Sequence, residues 1–190
     1  MEVIETSLEG VLVIKPRVFE DDRGYFFESF SEREFFSKVR PVKFVQDNES
    51  SSVRGVLRGL HFQKPPFAQS KLVRVVQGRV LDVAVDIRRG SPTYGKWISQ
   101  ELSADNHLQL FIPRGFAHGF AVLSETAVFQ YKCDNFYAPQ AEGAIAWDDP
   151  DIGVDWQLPA GSVILSAKDK CHPSFKDYEP AFDYSENLYL

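Results

Sequence analysis

The chain has 190 residues, of which 44% are hydrophobic and 14% aromatic, and a formal net charge of -6 at pH 7. This composition excludes a disordered chain and predicts a single domain over residues 1–190. The acidic balance argues against a nucleic-acid partner. No apolar run reaches the roughly 20 residues that span a bilayer, so no membrane partner is expected.

The N-terminal sequence and the cysteines predict a cytoplasmic protein. The first ten residues, MEVIETSLEG, carry acids where a secretory signal carries Lys or Arg before an apolar stretch. Cys133 and Cys171 have no zinc-binding spacing and are too few for a disulfide scaffold. We interpret both as reduced thiols, the ordinary state in the cytosol.

The first 41 residues predict two strands and a helix. Val11–Ile14 is a short apolar run that favours a strand. A turn at residues 21–24 leads into the aromatic segment Tyr25–Phe30, which favours a second strand. Ser31 then begins a Ser-Glu-Arg-Glu capping box, which predicts a helix through about Val39.

From Val42 onward the pattern is that of short strands separated by turns. The predicted strands are Lys43–Gln46, Val56–Phe62, Leu72–Val76, Arg79–Ile87, Trp97–Leu102, Leu108–Ile112, Phe116–Leu123 and Ala127–Tyr131. Strands of this length and spacing are typical of a sandwich or barrel. The tail from about residue 173 is aromatic and polar; it either docks on the body or on a partner chain, or is a partly mobile terminus.

One basic segment stands out in this acidic chain. Residues 50–81 carry six Lys or Arg and no Asp or Glu, which favours a site for a particular anion. Within it, Arg58 and His61 are three residues apart and would face opposite sides of a regular strand. A bulge at Gly59 would turn both into one pocket. The alternative is that Arg58 reaches the pocket of a neighbouring subunit.

Several motifs carry a resemblance to a known family. Residues 108–120 contain Pro-x-Gly-x-x-His-x-Phe, which resembles the second motif of cupins. Further segments, within residues 3–170, resemble the dTDP-4-dehydrorhamnose 3,5-epimerases, the RmlC family of deoxysugar biosynthesis. They are Phe19–Glu28, Gln46–Asn48, Val56–Gln63, Lys71–Arg74, Asp82–Asp86 and Ser166–Asp169. The resemblance implies an all-β antiparallel jelly-roll (cupin-like) barrel with a few short helices, and a homodimer that exchanges an N-terminal strand.

The resemblance also implies a reaction and its catalytic residues. A cofactor-free epimerase would convert dTDP-4-dehydro-6-deoxy-D-glucose to dTDP-4-dehydro-L-rhamnose, in dTDP-rhamnose biosynthesis. The C3 and C5 protons flank the C4 carbonyl, so their removal needs a base, an acid and a positive group near the oxyanion. By resemblance His61 is the base and Asp169 the carboxylate that orients it. Tyr131 is the acid, chiefly at C5, and Lys71 faces the oxyanion.

Other residues are assigned to substrate binding, again by resemblance. Arg58, Arg23 and Lys71 would lie near the diphosphate, where arginine suits bidentate contacts. The positions around the nucleoside and phosphates are Phe19, Glu28, Gln46, Asn48 and Tyr137. His118, in the cupin motif, would line the same cavity. Without the resemblance, each of these residues also has an ordinary structural or surface interpretation.

Other functions stay open at this point. Metal-binding cupins carry His-x-His in their first motif, whereas this chain has His61-Phe62-Gln63. The second histidine is absent, so no metal is expected. A metal site that uses His61 and His118 stays open. The alternatives are an epimerase acting at one carbon, a metal-dependent oxygenase and a non-catalytic sugar-nucleotide binding cupin. Retention of all four catalytic residues argues against a binding module. Single and double epimerisation are not separated, because the orientation of Tyr131 decides between them.

Overall fold

The structure is a computed structural model that describes residues 1–159 and 161–189. The strands are β1 (Glu2–Glu5), β2 (Leu12–Lys15), β3 (Phe19–Asp21), β4 (Gly24–Phe26), β5 (Gln46–Val53), β6 (Leu57–Gln63), β7 (Lys71–Gln77), β8 (Arg79–Asp86), β9 (Arg88–Arg89), β10 (Trp97–Ser103), β11 (Gln109–Ile112), β12 (Phe116–Val122), β13 (Thr126–Cys133), β14 (Glu142–Ala144) and β15 (Phe182–Asp183). The helix α1 spans Glu32–Lys38, and short 3-10 turns span Pro139–Ala141 and Asp169–Cys171.

Two antiparallel sheets form the body. One has the strand order β1-β2-β11-β7-β13-β5 and the other β10-β8-β12-β6-β14. Side chains from both sheets meet in one buried cluster, which includes Val73, Ala84, Phe120 and Phe129. Sequence neighbours are often not sheet neighbours, as expected for jelly-roll connections. The predicted all-β jelly-roll fold is confirmed.

Strand alternation decides which side chains face the interior. On β8, Val80 and Ala84 belong to the cluster between the sheets, while Leu81 and Val83 pack on the outer face. Asp82, midway between Val80 and Ala84, therefore points inward. Because it is fully buried, this carboxylate needs a partner inside the body.

The helix and the tail cover the outer faces of the two sheets. Ser31 caps α1 by accepting the Glu34 backbone N–H, as the capping box predicts, and Phe35 packs against Phe111 of the first sheet. Tyr178 and Phe182 of the tail are buried on the second sheet. The described part of the tail therefore docks on the body. Among the described residues, no helix is both long and apolar enough to cross a membrane.

The largest error of sequence reading concerns β5. The sequence predicted a strand at Lys43–Gln46, whereas β5 begins at Gln46 and runs through the polar segment QDNESSSV. β5 is an edge strand that pairs only with β13, so its side chains need not be apolar. The predicted strand at Tyr25–Phe30 is also too long, since β4 ends at Phe26.

The predicted bulge at Gly59 is present. His61 pairs with His118 and Arg58 with Phe120, so two residues of β6 lie opposite the single residue Gly119. Gly59 has φ +149°, and a Cβ there would lie 2.7 Å from the Cα of Gly119. The irregularity lets Arg58 and His61 line the same cavity.

We predict that Gly59→Ala destabilises the fold more than Gly90→Ala does. Both glycines have positive φ, so an alanine at either position strains the backbone, but Gly90 has nothing within 4 Å of an added Cβ. The clash with Gly119 should add roughly 1–3 kcal/mol to the loss at Gly59. Urea denaturation measures both variants; equal losses would mean that the close strand approach is unimportant.

Candidate active site

A cavity of about 780 Å³ has walls from both sheets and from the segment after residue 163. Nine of the twelve residues assigned to the site by resemblance line it. They are Gln46, Asn48, Arg58, His61, Lys71, His118, Tyr131, Tyr137 and Asp169. Its volume lies within the usual range for small-molecule sites, roughly 300–1,000 Å³.

His61 and Asp169 form the central contact of the cavity. His61 Nε2 lies 2.6 Å from Asp169 Oδ1, although the residues are 108 positions apart. The carboxylate is held from the other side by Ser166, whose hydroxyl donates to Asp169 Oδ2 at 2.6 Å. The His61 side chain is 41% exposed and Asp169 is 5% exposed, so the imidazole is presented to the cavity by a buried carboxylate.

The electrostatics of Asp169 favour the ionised carboxylate. Burial raises the pKa of this carboxyl, but the hydrogen bonds from His61 and Ser166 outweigh burial and hold its pKa well below the ordinary value. An ionised Asp169 stabilises a positive charge on the imidazole. The pair can therefore take up a proton from a carbon acid at His61.

Lys71 and Tyr131 lie on the other sheet, on the adjacent strands β7 and β13. Lys71 Nζ lies 6.0 Å from the centre of the Tyr131 ring. Burial lowers the pKa of Lys71, opposed by nearby Cys133 and Asp82, and burial raises the pKa of the Tyr131 hydroxyl. A partly desolvated ammonium group is suited to stabilise negative charge that develops in the cavity.

His118 has a partner that sequence reasoning missed. Its Nε2 lies 3.0 and 3.1 Å from the two carboxylate oxygens of Asp82, the inward residue of β8. Burial raises the pKa of Asp82 and lowers the pKa of His118, while the contact between them opposes both shifts. The sequence feature that could have revealed this partner is Asp82 itself, a lone carboxylate within the apolar run Val80–Val85. An acid that points inward from such a strand requires a buried partner.

Polar side chains at the mouth hold one another in place. Gln46 Nε2 donates to Asn48 Oδ1 at 2.9 Å, and Gln46 Oε1 accepts the Tyr137 backbone N–H at 3.0 Å. The Tyr137 hydroxyl donates to Glu142 at 2.9 Å, while its side chain is largely exposed. Arg58 donates to Ser52 Oγ at 3.2 Å. Amide, hydroxyl and guanidinium groups are thus arranged for a polar, anionic ligand.

Three assigned residues do not line this cavity. Phe19 and Glu28 line a separate cavity of about 330 Å³ near the N-terminus. Arg23 lies in the turn between β3 and β4, is paired with Asp21, and its side chain is 89% exposed. Within one chain the structure does not bring them to the site.

The six cations of the basic segment, residues 50–81, do not lie together in the structure. Only Arg58 and Lys71 of its six cations line the main cavity. Arg54 and Arg79 line another depression, and Lys64 pairs with Glu179. Strand alternation and chain reversals disperse the other charges, so an unbroken basic run in sequence is not an unbroken basic patch in space.

His172 is a further residue of the cavity that sequence reasoning left out. Its ring stands edge-on to His61 with the ring centres 5.4 Å apart. Together with Asp169, these two side chains form a group able to hold a metal ion. The alternative metal site of His61 with His118 is not supported, because His118 is paired with Asp82. The available signal was the closeness of His172 to Asp169 in the sequence, since His172 directly follows the short turn that Asp169 begins.

Comparisons with known proteins relate this chain to one family. A model of the family described as dTDP-4-dehydrorhamnose 3,5-epimerase matches residues 5–177. The chain is 55% identical over 171 residues to the enzyme of that name from Escherichia coli strain K12, covering 90% of this chain and 92% of the relative.

Solved structures of epimerases are also similar to this chain. The dTDP-4-dehydrorhamnose 3,5-epimerase of Elizabethkingia anophelis is 54% identical, with a TM-score of 0.89 and coverage of 93% of this chain and 97% of that one. The RmlC epimerase of Legionella pneumophila, in complex with dTDP-4-keto-L-rhamnose, is 43% identical, with a TM-score of 0.93 and coverage of 97% and 99%.

Proposed function

Because the chain belongs to the dTDP-4-dehydrorhamnose 3,5-epimerase family, we propose that it converts dTDP-4-dehydro-6-deoxy-D-glucose to dTDP-4-dehydro-L-rhamnose in the cytoplasm. This isomerase activity would serve dTDP-rhamnose biosynthesis. The observation that carries the proposal is the His61–Asp169 pair at 2.6 Å, directed into a cavity that also holds Lys71 and Tyr131. The test is exchange of substrate protons in deuterated water.

The first half of the reaction is proton removal. His61, whose Nε2–H donates to Asp169, takes the proton from C3 or C5 at Nδ1, the electron pair of the C–H bond forms a double bond to C4, and the C4 carbonyl oxygen gains negative charge. Asp169 stabilises the imidazolium, and Lys71 stabilises the enolate oxygen.

The second half is proton return from the opposite face. His61 lies on β6 of one sheet and Tyr131 on β13 of the other, so a sugar between them has the base on one side and the phenol on the other. The Tyr131 hydroxyl gives its proton to the enolate carbon, and the C4 carbonyl reforms. Burial raises the pKa of this phenol, yet it can protonate the enolate carbon because the enolate is strongly basic.

We predict that Tyr131→Phe damages mainly the C5 step. Loss of the hydroxyl removes the acid while leaving the base and Lys71 in place, so C5 inversion should fall by about 10²-fold or more. Deuterium exchange at C3 should persist, as followed by proton NMR. Tyr184→Phe is a matched control, because its hydroxyl donates to Glu9 and does not line the cavity. Equal damage at C3 and C5 in Tyr131→Phe would contradict the assignment.

Substrate binding is proposed to use the polar mouth of the cavity. Arg58 and Lys71 face the diphosphate end, and Gln46, Asn48 and Tyr137 contact the nucleoside and phosphates. His118, fixed by Asp82, contacts the sugar. A non-catalytic binding module would use the same contacts, so the proton exchange, which binding alone does not give, is what distinguishes the epimerase from it.

The N-terminal arm is proposed to complete the site of a second protomer. Arm residues Phe19 and Tyr25 are exposed, and Phe26 is 70% exposed. Large exposed aromatics on a hairpin favour contact with another copy. A homodimer that exchanges this arm would place Phe19, Arg23 and Glu28 beside the partner cavity, which explains why they lie away from their own.

A mixing experiment tests the exchanged arm. Two variants are prepared separately: one chain carries both Phe19→Ala and Glu28→Ala, and the other carries His61→Ala. Each variant should turn over substrate poorly when it is assayed without the other. Dimers that combine the two chains contain one site with an intact cavity and an intact arm, so refolding an equal mixture should restore about a quarter of the wild-type sites. No recovery in a mixture that light scattering shows to be dimeric would contradict arm exchange, as would a monomeric wild-type chain.

A further inference from the structure

Three potential metal ligands meet at one wall of the cavity. One ligand atom each from His61, Asp169 and His172 lies within 4.8 Å of the others. Asp169 Oδ1 is 2.6 Å from His61 Nε2 and 3.4 Å from His172 Nε2. Asp169 begins a short 3-10 turn and His172 follows that turn directly, while His61 comes from β6, so the fold itself brings the set together.

A second observation points to a ligand at the same place. His172 Nε2 is buried without a hydrogen-bond partner, and it is the one side-chain nitrogen or oxygen in that condition among the described residues. The His172 side chain is only 10% exposed, yet it lines the cavity. A buried polar atom without a partner costs about 1–3 kcal/mol, and a bound cation at this nitrogen would remove that cost.

We propose that His61, Asp169 and His172 bind a divalent cation of the zinc type, and that zinc bound there reversibly inhibits the enzyme. Two imidazoles and a carboxylate, with water as fourth ligand, form a donor set that zinc accepts in tetrahedral geometry. Magnesium and calcium prefer oxygen ligands and should bind poorly. The inhibition rests on the proposed function, whereas the zinc binding does not.

The geometry needs little change to accept the ion. The 3.4 Å between Asp169 Oδ1 and His172 Nε2 suits two donors about 2.0–2.1 Å from zinc in a tetrahedron. The 2.6 Å contact between His61 and Asp169 must widen, and zinc displaces the proton from His61 Nε2. The neutral imidazole then carries its one proton on Nδ1, the nitrogen that the proposed reaction uses as the base, so proton abstraction stops while the nucleotide end stays free.

The experiment titrates the 190-residue protein with Zn²⁺, Co²⁺ and Mg²⁺. Calorimetry should show one zinc site per chain, and Co²⁺ should give the visible absorption of a tetrahedral complex. Deuterium exchange into substrate should cease at one equivalent of bound zinc and return with a chelator. Mg²⁺ should have no effect, and dTDP binding should survive zinc, which shows that the fold is intact.

Variants assign the ligands. His172→Gln and His172→Ala should weaken zinc affinity by at least about tenfold, and the exchange rate of each variant should fall less on addition of zinc than that of the wild type. Cys171→Ser removes the exposed thiol next to the site, and His107→Gln removes a histidine packed on Tyr25; neither should change zinc affinity.

The outcomes separate this inference from the proposed function. Unchanged zinc affinity in both His172 variants, or lost affinity in Cys171→Ser, overturns the site. Normal exchange in a wild-type protein that binds no zinc also overturns it, and leaves the epimerase intact. Zinc and cobalt binding that depends on His172, in a protein without exchange activity, supports the site and refutes the epimerase.

Discussion

Replacing His61 by alanine is expected to abolish deuterium exchange at both C3 and C5. The side chain is the one imidazole of the cavity that is both substantially exposed and backed by an ionised carboxylate, Asp169, at 2.6 Å. His118 cannot substitute for it, because its Nε2 contacts Asp82 in a buried pair. Loss of a positioned base should reduce turnover by about 10²–10⁴-fold.

Two further measurements make this result specific. Exogenous imidazole should restore part of the exchange in His61→Ala, since the space and Asp169 both remain. Asp169→Asn should also slow exchange at both carbons, because the neutral amide no longer stabilises the imidazolium. Binding of dTDP should be unchanged in both variants. Exchange that persists at C5 in His61→Ala would show that another group removes that proton.

Replacing Lys71 by glutamine is expected to slow C3 and C5 exchange by the same factor. Both enolates place their negative charge on the single C4 oxygen, so one cation serves both steps. Loss of one such group should cost about 10²–10³-fold in turnover. The variant keeps a polar side chain of similar reach on β7, which limits damage to packing beside Tyr131 and Cys133.

Lys132→Gln is the matched control for Lys71→Gln. Lys132 lies next to Tyr131 in sequence but on the other face of β13, where it pairs with Asp47 at 2.9 Å. Removing this partly exposed ion pair should leave exchange unchanged and cost little stability, about 0–1 kcal/mol. Unequal losses at C3 and C5 in Lys71→Gln would mean that Lys71 acts on one carbon rather than on the shared oxygen.

Local physics made part of the site predictable. Arg58 and His61 are three residues apart with Gly59 between them, and only a bulge can turn both to one side; the structure has that bulge. The capped helix after Ser31 was likewise predictable, because the cap and the first turn are adjacent in sequence. In both cases the determining contacts involve neighbours in the chain.

Long-range pairings were beyond local reasoning. His61 and Asp169 are far apart in sequence, and only the resemblance to the epimerase family joined them before the structure did. The contact of Asp82 with His118 and the approach of His172 to His61 depend on how strands and the last turn are stacked. β5 was misplaced for a related reason: its polar sequence is tolerated only because it lies at a sheet edge.

The central claim is that one cavity removes and returns protons at two carbons of one sugar. Proton NMR of dTDP-4-dehydro-6-deoxy-D-glucose, incubated with the 190-residue protein in deuterated water, tests it most directly. The account predicts loss of both the C3 and the C5 proton signals and appearance of the L-rhamno product. Exchange at C3 or C5 alone would contradict double epimerisation, and no exchange at either carbon would contradict the enzyme itself.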